Sequence, residues 1–202
     1  MKTLKECNLS EVVVELLAGK TLIFPTETSY GLGCDATNQQ AVDSIFKIKA
    51  RDESKSLLVV VPSIEMAKRY LVWNDSVEEL AKKYWPGPLT IVGNYKLDSG
   101  LAQGVVAKNN TVAVRVTTHP IVKFLTESLG KPVVATSGNV SGAGDIYNVK
   151  DAEAMFFERA SQPDIILDFG QLPKNLPTTI VDATEDKIKI LRQGELKIEI
   201  ED

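Results

Sequence analysis

Residues 21–33 of the chain read TLIFPTETSYGLG. The apolar residues that follow Thr21 predict a buried strand that ends at Pro25. The loop after this strand is dense in hydroxyl groups and leads into a Gly-x-Gly pair, Gly31 and Gly33. Hydroxyls there can bind a small polar ligand, because α/β sheets usually place their sites at the carboxyl ends of strands. Taken alone, the loop is explained more simply as a turn whose Thr and Ser side chains satisfy their own backbone.

On either side of this segment, strand-like and helix-like segments alternate along the chain, with no long linker and no internal repeat. Residues 57–61 are a continuous apolar run, which is typical of a strand inside a covered sheet. Apolar residues at helical spacing predict a helix that opens at Asn38 and ends near Arg51, and another from His119 to Leu129. The other predicted strands are residues 89–92, 111–116, 132–136, 164–168, 179–181 and 188–191, and the other predicted helices begin near Ser10, Ser63 and Ser76.

The order of these elements predicts the fold class. Strands interleaved with helices imply a mixed sheet that is covered on its faces. A chain of 202 residues is long enough for one sizeable core, and 44% hydrophobic residues are ordinary for a folded domain. We therefore predict a single α/β domain over residues 1–202, built on a twisted, mainly mixed β-sheet flanked by helices.

The composition excludes several classes of function. Lys and Arg total 23 against 27 for Asp and Glu, so the formal charge of −4 does not attract nucleic acid in bulk. Two cysteines without a CxxC pair and a single histidine, His119, argue against a zinc site or a disulfide framework. No apolar run is long enough to span a membrane and the N-terminus lacks a signal-peptide core, so we expect a cytoplasmic protein without a membrane partner.

Cationic residues interrupt the apolar pattern around the end of the second predicted helix. Lys49 falls in the apolar stripe of that helix, and Arg51 and Lys55 follow it closely. The cluster can be structural, because cations stabilise a helix C-terminus and a buried lysine stem can carry its ammonium to solvent. It can equally hold a polyphosphate, with Arg supplying a planar fork and Lys a point charge.

Arg115 interrupts the apolar strand predicted at residues 111–116. Burying a guanidinium is unfavourable unless a carboxylate or phosphate meets it. One explanation is a structural Asp or Glu on a neighbouring strand. The other is the carboxylate of a substrate, which the guanidinium fork fits with two parallel hydrogen bonds.

A further polar cluster is the sequence SGNVSG at residues 137–142, directly after the predicted strand 132–136. Small polar residues and glycines allow backbone N–H groups to approach an anion closely. An ordinary loop is the default explanation for such a motif in isolation. Polar clusters at two strand ends, together with buried cations, nevertheless point to one convergent pocket for an anionic ligand.

Taken together, these motifs resemble a known family over nearly the whole chain. The resemblance is to the YrdC-like domain of the threonylcarbamoyl-AMP synthase family. The matching motifs, in family order, are residues 25–33 (PTETSYGLG), Lys49-x-Arg51, residues 85–90 (WPGPLT), residues 114–116 (VRV), Ser137-x-Asn139-x-Ser141-Gly142, residues 177–182 (PTTIVD) and Arg192-x-Gly194.

The resemblance implies a deep, positively lined cavity and a reaction in which L-threonine, bicarbonate and ATP give L-threonylcarbamoyl adenylate and pyrophosphate. ATP is then a substrate, and Mg²⁺ is the expected helper, held mainly by the triphosphate and not by a metal site of the protein. A partner, a threonylcarbamoyl transferase, would move the product's acyl group to the adenosine beside the tRNA anticodon. The reaction needs no covalent nucleophile, in agreement with the lack of any Ser-His or Cys-His constellation.

The resemblance also implies roles for individual residues, and it predicts that Lys49→Ala and Arg51→Ala lose turnover with little loss of stability. Val60 stands where many members carry a histidine that helps to hold threonine, so the mode of threonine selection stays open. The implied roles are catalysis for Lys49 and Arg51, threonine binding for Thr28, Arg115, Ala135 and Thr178, and nucleotide binding for Arg51, Lys55, Thr111, Ser137, Asn139, Asp145 and Arg192.

Two other functions stay open at the level of sequence. A non-catalytic member of this fold can bind double-stranded RNA weakly through a local basic patch, in spite of the acidic net charge. A carbamoyl adenylate enzyme of the hydrogenase-maturation type uses carbamoyl phosphate in place of threonine. Such domains normally lie in much longer chains with zinc-finger modules.

Overall fold

The computed structural model describes residues 1–5 and 8–198. Helices and strands alternate in the order that the sequence predicts, with additional strands between them. The helices are α1 (Leu9–Leu17), α2 (Gln39–Lys49), α3 (Ile64–Ala67), α4 (Asp75–Tyr84), α5 (Pro120–Leu129) and α6 (Val149–Phe156). The strands are β1 (Lys2–Lys5), β2 (Leu22–Pro25), β3 (Tyr30–Gly33), β4 (Val59–Val61), β5 (Leu89–Asn94), β6 (Thr111–Val116), β7 (Val133–Val134), β8 (Thr136–Ser137), β9 (Ile165–Asp168), β10 (Thr179–Asp182) and β11 (Lys189–Arg192).

Asparagine side chains cap the N-termini of α1, α2, α4 and α6 by accepting a backbone N–H in the first turn. The helix start predicted at Asn38 is confirmed. The start predicted near Ser76 is confirmed to within one residue, since α4 begins at Asp75 and Asn74 is its cap. The Ser76 hydroxyl donates to the carbonyl of Asp186, at 3.1 Å.

The strands form two mixed sheets and not one. The five-stranded sheet has the order β1-β9-β2-β3-β8, and the six-stranded sheet has the order β11-β10-β5-β6-β4-β7. The predicted α/β class with mixed strands is confirmed, but the predicted strand 132–136 is split at Ala135. Its first part, β7, pairs with β4, and its second part, β8, pairs with β3 in the other sheet. The chain therefore crosses between the sheets at Ala135.

Residues 30–33 form strand β3, although they were expected in a loop. β3 pairs antiparallel with β2, with Leu22 opposite Gly33 and Pro25 opposite Tyr30. The hydroxyl-rich residues 26–29 are consequently the loop of a β-hairpin. Helix α6 and strand β1 are also absent from the sequence prediction. Strand β1 pairs in parallel with β9, a contact between distant segments that no local pattern reveals.

Two buried apolar clusters support the sheets. The smaller one joins α1 and α5 to β2 and β4, and it contains Leu16, Phe24, Val60 and Leu125. Full burial of such a side chain contributes about 2 kcal/mol. Val60 thus serves the apolar core. None of the helices in the described ranges is long and apolar enough to cross a membrane.

Gly33 is required where β3 passes the crossing segment. A Cβ at this position would lie 1.9 Å from the Val134 carbonyl oxygen, whereas a Cβ at Gly144 would meet nothing within 4 Å. We expect Gly33→Ala to force β3 and β7 apart and to lower the free energy of unfolding by about 3 kcal/mol. Gly144→Ala, the control, should change it by less than about 0.5 kcal/mol. Urea denaturation measures both, and equal stabilities would contradict the role of Gly33.

Candidate active site

A cavity of about 430 Å³ lies where strands of both sheets approach each other. This volume is in the range of small-molecule sites. Its charged lining residues are three arginines and one aspartate, so the lining favours an anionic ligand. The lining residues are Thr26, Thr28, Ser29, Gly31, Arg51, Ser56, Leu57, Leu58, Val92, Ala113, Arg115, Ala135, Thr136, Ser137, Asp145, Asn175, Pro177, Thr178, Ile180, Leu191 and Arg192.

Arg115 borders this cavity from strand β6, and its exposed fraction is only 4%. Its Nη1 lies 3.0 Å from Oε2 of Glu27. The two atoms form an ion pair without the alignment of a hydrogen bond, and neither has another hydrogen-bond partner in the described ranges. The expectation that a structural carboxylate meets Arg115 is therefore confirmed, but this carboxylate comes from the hairpin loop and not from a neighbouring strand. Because Arg115 also borders the cavity, the alternative of a ligand carboxylate stays a prediction.

Glu27 is anchored through its other carboxylate oxygen. Oε1 accepts from the Thr117 hydroxyl at 2.6 Å, from the Thr118 amide at 2.9 Å and from the His119 amide at 3.0 Å. His119 is the N-cap residue of α5, so the carboxylate lies at the positive end of that helix. Burial alone would raise the pKa of Glu27, but the charge of Arg115 and these hydrogen bonds lower it to about 2.

Glu27 is absent from the functional residues that the sequence predicts. The available signal is an acidic residue inside an otherwise hydroxyl-rich loop, in a chain that also buries an arginine. Nothing in the local pattern pairs the two, because 88 positions separate them and only the packing of the hairpin loop against β6 brings them together.

Lys49 does not line the cavity. Its exposed fraction is 1%, and its ammonium donates to the Ser137 carbonyl at 2.5 Å and to the Asn139 carbonyl at 2.7 Å. Burial lowers the pKa of Lys49, the nearby Arg51 lowers it further and Asp145 raises it, to about 8. The ammonium is therefore mainly protonated at neutral pH, and it holds the segment 137–139 in place. The alternative of a lysine that extends to solvent is wrong.

Arg51 and Arg192 border the cavity, and backbone carbonyls fix both guanidinium groups. Arg51 donates from Nε to the Lys55 carbonyl at 2.9 Å. Arg192 donates from Nε and Nη2 to the Thr178 carbonyl, at 3.0 and 2.8 Å. Gly194 permits this second contact, because a Cβ there would lie 2.1 Å from the Pro177 carbonyl oxygen. The Arg-x-Gly motif thus places its arginine beside the cavity.

The predicted site residues divide into those that line the cavity and those that do not. Lys55 is exposed and away from the lining, and the Thr111 hydroxyl donates to Asn109 at 2.9 Å. Asn139 is buried and accepts from the Ser137 hydroxyl at 2.6 Å. The roles of both groups stay predictions. Those that line the cavity are Thr28, Arg51, Arg115, Ala135, Ser137, Asp145, Thr178 and Arg192, and those that do not are Lys49, Lys55, Thr111 and Asn139.

Asn175 is a lining residue that the sequence prediction does not contain. It lies between β9 and β10, and its side-chain amide donates to the backbone carbonyl of Glu27 at 2.8 Å. This bond ties the connecting segment to the hairpin loop at one side of the cavity. The fold and site together define the class of the protein: an α/β protein with a cavity of small-molecule size, bordered by three arginines and one aspartate, between two mixed sheets.

Comparison with known proteins identifies the family. The Sua5/YciO/YrdC family model, described as "Telomere recombination", matches residues 15–194. A threonylcarbamoyl-AMP synthase of Vibrio vulnificus is 35% identical over 191 residues, which are 93% of this chain and 98% of that protein. The chain therefore belongs to the Sua5/YciO/YrdC family.

Solved structures agree with this assignment. P. abyssi Sua5 complexed with L-threonine is 30% identical, with a TM-score of 0.85 over 96% of this chain and 57% of that one, so this chain spans somewhat more than half of it. E. coli YciO has a TM-score of 0.81 over 96% of this chain and 95% of that one. At 23% identity, that likeness concerns the fold alone.

The environment of Lys49 changes the expectation for its replacement. Lys49→Met keeps the apolar stem but leaves the carbonyls of Ser137 and Asn139 without their donor, and we expect it to lower the free energy of unfolding by about 3 kcal/mol. The expectation of nearly unchanged stability for Lys49→Ala is replaced accordingly. Lys47→Met, at an exposed position of the same helix, should cost less than about 0.5 kcal/mol. Urea denaturation at pH 7 compares them, and equal values would show that the ammonium holds nothing.

The lowered pKa of Glu27 predicts a pH dependence of stability. Folding shifts the pKa from 4.5 to about 2, so the contribution is complete above pH 4.5 and is lost as the pH falls towards 2. Its size is about 3 kcal/mol. Glu27→Gln should therefore be less stable than the wild type by this amount at pH 7, and the difference should shrink as the pH falls to 2. Glu79→Gln, at an exposed helix position, is the control; a pH-independent difference for Glu27→Gln would contradict the prediction.

Proposed function

We propose that this chain forms L-threonylcarbamoyl adenylate from L-threonine, bicarbonate and ATP, with release of pyrophosphate, as the first step of N⁶-threonylcarbamoyladenosine modification of tRNA. The observation that carries the proposal is the environment of the Arg115 side chain. Arg115 is buried and borders the cavity, and its Nη1 has no hydrogen-bond partner within the described ranges. A buried fork of this kind suits the two oxygens of an amino-acid carboxylate.

The relatives support the same substrates. The Vibrio vulnificus relative is named a threonylcarbamoyl-AMP synthase, and P. abyssi Sua5 is solved with L-threonine. In this chain, Arg115 would bind the carboxylate of threonine, and Thr28, Ala135 and Thr178 would surround the rest of it. All four border one cavity.

The chemistry requires two anionic reactants to meet. An oxygen of the threonine carbamate forms a bond to the α-phosphorus of ATP, and the bond from that phosphorus to the bridging oxygen breaks, so pyrophosphate leaves with the electron pair. Fixed positive charge and positioning therefore provide most of the rate enhancement. Arg51 and Arg192, held by carbonyls at 2.9 and 3.0 Å, would face the phosphates without having to reorganise.

The remaining predicted residues would serve the nucleotide side. Ser137 borders the same cavity as Arg51. Lys49 does not, and it would act through its hydrogen bonds to the carbonyls of Ser137 and Asn139, which hold the segment 137–139 in place. The charge of Asp145 acts on both Lys49 and Arg192. Lys55 and Thr111 stay candidates for nucleotide contacts that lie outside the cavity lining.

The donor set fits a magnesium ion that accompanies the triphosphate. No group of three or more Asp, Glu, His or Cys side chains is placed to hold a metal in the described ranges, but Asp145 faces the cavity. Mg²⁺ commonly combines one carboxylate with phosphate oxygens and water. When bound, it would neutralise charge on the phosphates.

The product, a reactive acyl adenylate, needs a consumer. We assign that step to a threonylcarbamoyl transferase acting on tRNA, and since ATP and tRNA are both required, we place the reaction in the cytoplasm. The second candidate function is weak RNA binding. The named relatives favour the synthase over a non-catalytic RNA-binding protein.

Pyrophosphate release from ATP tests the proposed reaction. We expect release to require both L-threonine and bicarbonate. Arg51→Ala should reduce the rate at least about a hundredfold, because a fixed charge on the transition state is lost. Arg69→Ala, an exposed arginine of the segment after α3, should keep the rate. ATP turnover indifferent to threonine would refute the substrate assignment, and salt-sensitive RNA binding without ATP consumption would favour the RNA-binding alternative.

A further inference from the structure

We propose that Glu27 is a positioning residue for the threonine carboxylate site, acting through Arg115, and that the end of β6 and the start of α5 hold it for this purpose. The inference rests on the proposed function, because Arg115 must meet a substrate carboxylate. Glu27 itself does not line the cavity, whereas its neighbours Thr26 and Thr28 do. Its side chain is thus directed away from the cavity and towards the guanidinium of Arg115.

The two carboxylate oxygens of Glu27 have separate tasks. Oε1 takes the hydrogen bonds from Thr117, Thr118 and His119, which fix the plane of the carboxylate. Oε2 faces Nη1 of Arg115 at 3.0 Å without hydrogen-bond alignment. Glu27 therefore neutralises and holds the guanidinium of Arg115 without a linear hydrogen bond between the two groups. Because Nη1 faces Glu27, the N–H groups at Nε and Nη2 of Arg115 are the ones that would meet a ligand on the cavity side.

A guanidinium that is 4% exposed gains little from solvent if this carboxylate is removed. It would then turn towards other acceptors, and the orientation that suits a bidentate ligand would be lost. Outer partners that orient metal ligands typically change affinity ten- to a hundredfold, and we expect an effect of the same order for a carboxylate that orients an arginine. The nucleotide side should be spared, because Arg51 and Arg192 are held by carbonyls of other segments.

The Michaelis constants for threonine and for ATP separate positioning from general stability. We expect Glu27→Gln, which keeps the shape and loses the charge, to raise the KM for threonine at least about tenfold. The KM for ATP should change less than about twofold. Glu27→Asp, which keeps the charge on a shorter side chain, should rescue part of the threonine KM. A merely structural role would lower the amount of active enzyme and leave both KM values unchanged.

A milder variant and a matched control keep the proposal falsifiable if Glu27→Gln does not fold. Thr117→Val removes the 2.6 Å hydrogen bond to Oε1 with almost no change of volume, and we expect it to raise the KM for threonine about threefold. Ser128→Ala, at an exposed position of α5, leaves the hydrogen bonds to Glu27 intact and should behave as the wild type.

The outcomes distinguish the inference from the function on which it rests. If the wild type needs threonine and the KM for threonine is unchanged in Glu27→Gln, or in Thr117→Val where the former does not fold, the positioning role of Glu27 is refuted. If pyrophosphate release by the wild type ignores threonine, the proposed function is refuted first, and the role of Glu27 falls with it because Arg115 then has no substrate carboxylate to orient.

Discussion

A buried guanidinium has to be neutralised and held, and the arrangement of this site follows from that requirement at Arg115. Glu27 supplies the charge, but a carboxylate in the same environment needs donors of its own, which Thr117 and the amides at the start of α5 provide. Removing one partner of a buried ion pair typically costs 3–5 kcal/mol. The hairpin loop, the end of β6 and the N-terminus of α5 are therefore coupled, and the cavity lies against the first two of these segments.

The Lys-x-Arg motif shows how one short sequence serves two different tasks. Ala50 caps helix α2 in the left-handed region, with a φ of 47°, so the chain turns sharply between its neighbours. Lys49 stays inside the helix and holds the segment 137–139 from behind, whereas Arg51 leaves the helix and borders the cavity. The charge of Arg51, which borders the cavity, and the charge of Lys49, which holds the segment 137–139, are thus adjacent in sequence and separate in space.

Family membership and the geometry of the site support the same reaction by independent routes. The relatives carry the name of a synthase, and the cavity collects three arginines from β6, β11 and the segment after α2. A reaction that joins two anions and releases a third needs fixed positive charge and no nucleophilic side chain. The residues that border the cavity are thus of the chemical types that such a reaction requires.

The amino-acid sequence by itself determined the α/β class and most strand positions, because these depend on local patterns: apolar runs and helical spacing. Strand 111–116, with Arg115 inside it, is an example. Polar residues at strand ends and the family resemblance together supplied the candidate site residues, whose roles stay predictions. Only the tertiary structure decided that the sheet is two sheets, that Ala135 is the crossing point, that Glu27 is the partner of Arg115 and that Lys49 lies outside the cavity lining. Each of these features depends on contacts between segments far apart in the chain. Such contacts leave no periodic pattern in the sequence of either segment alone.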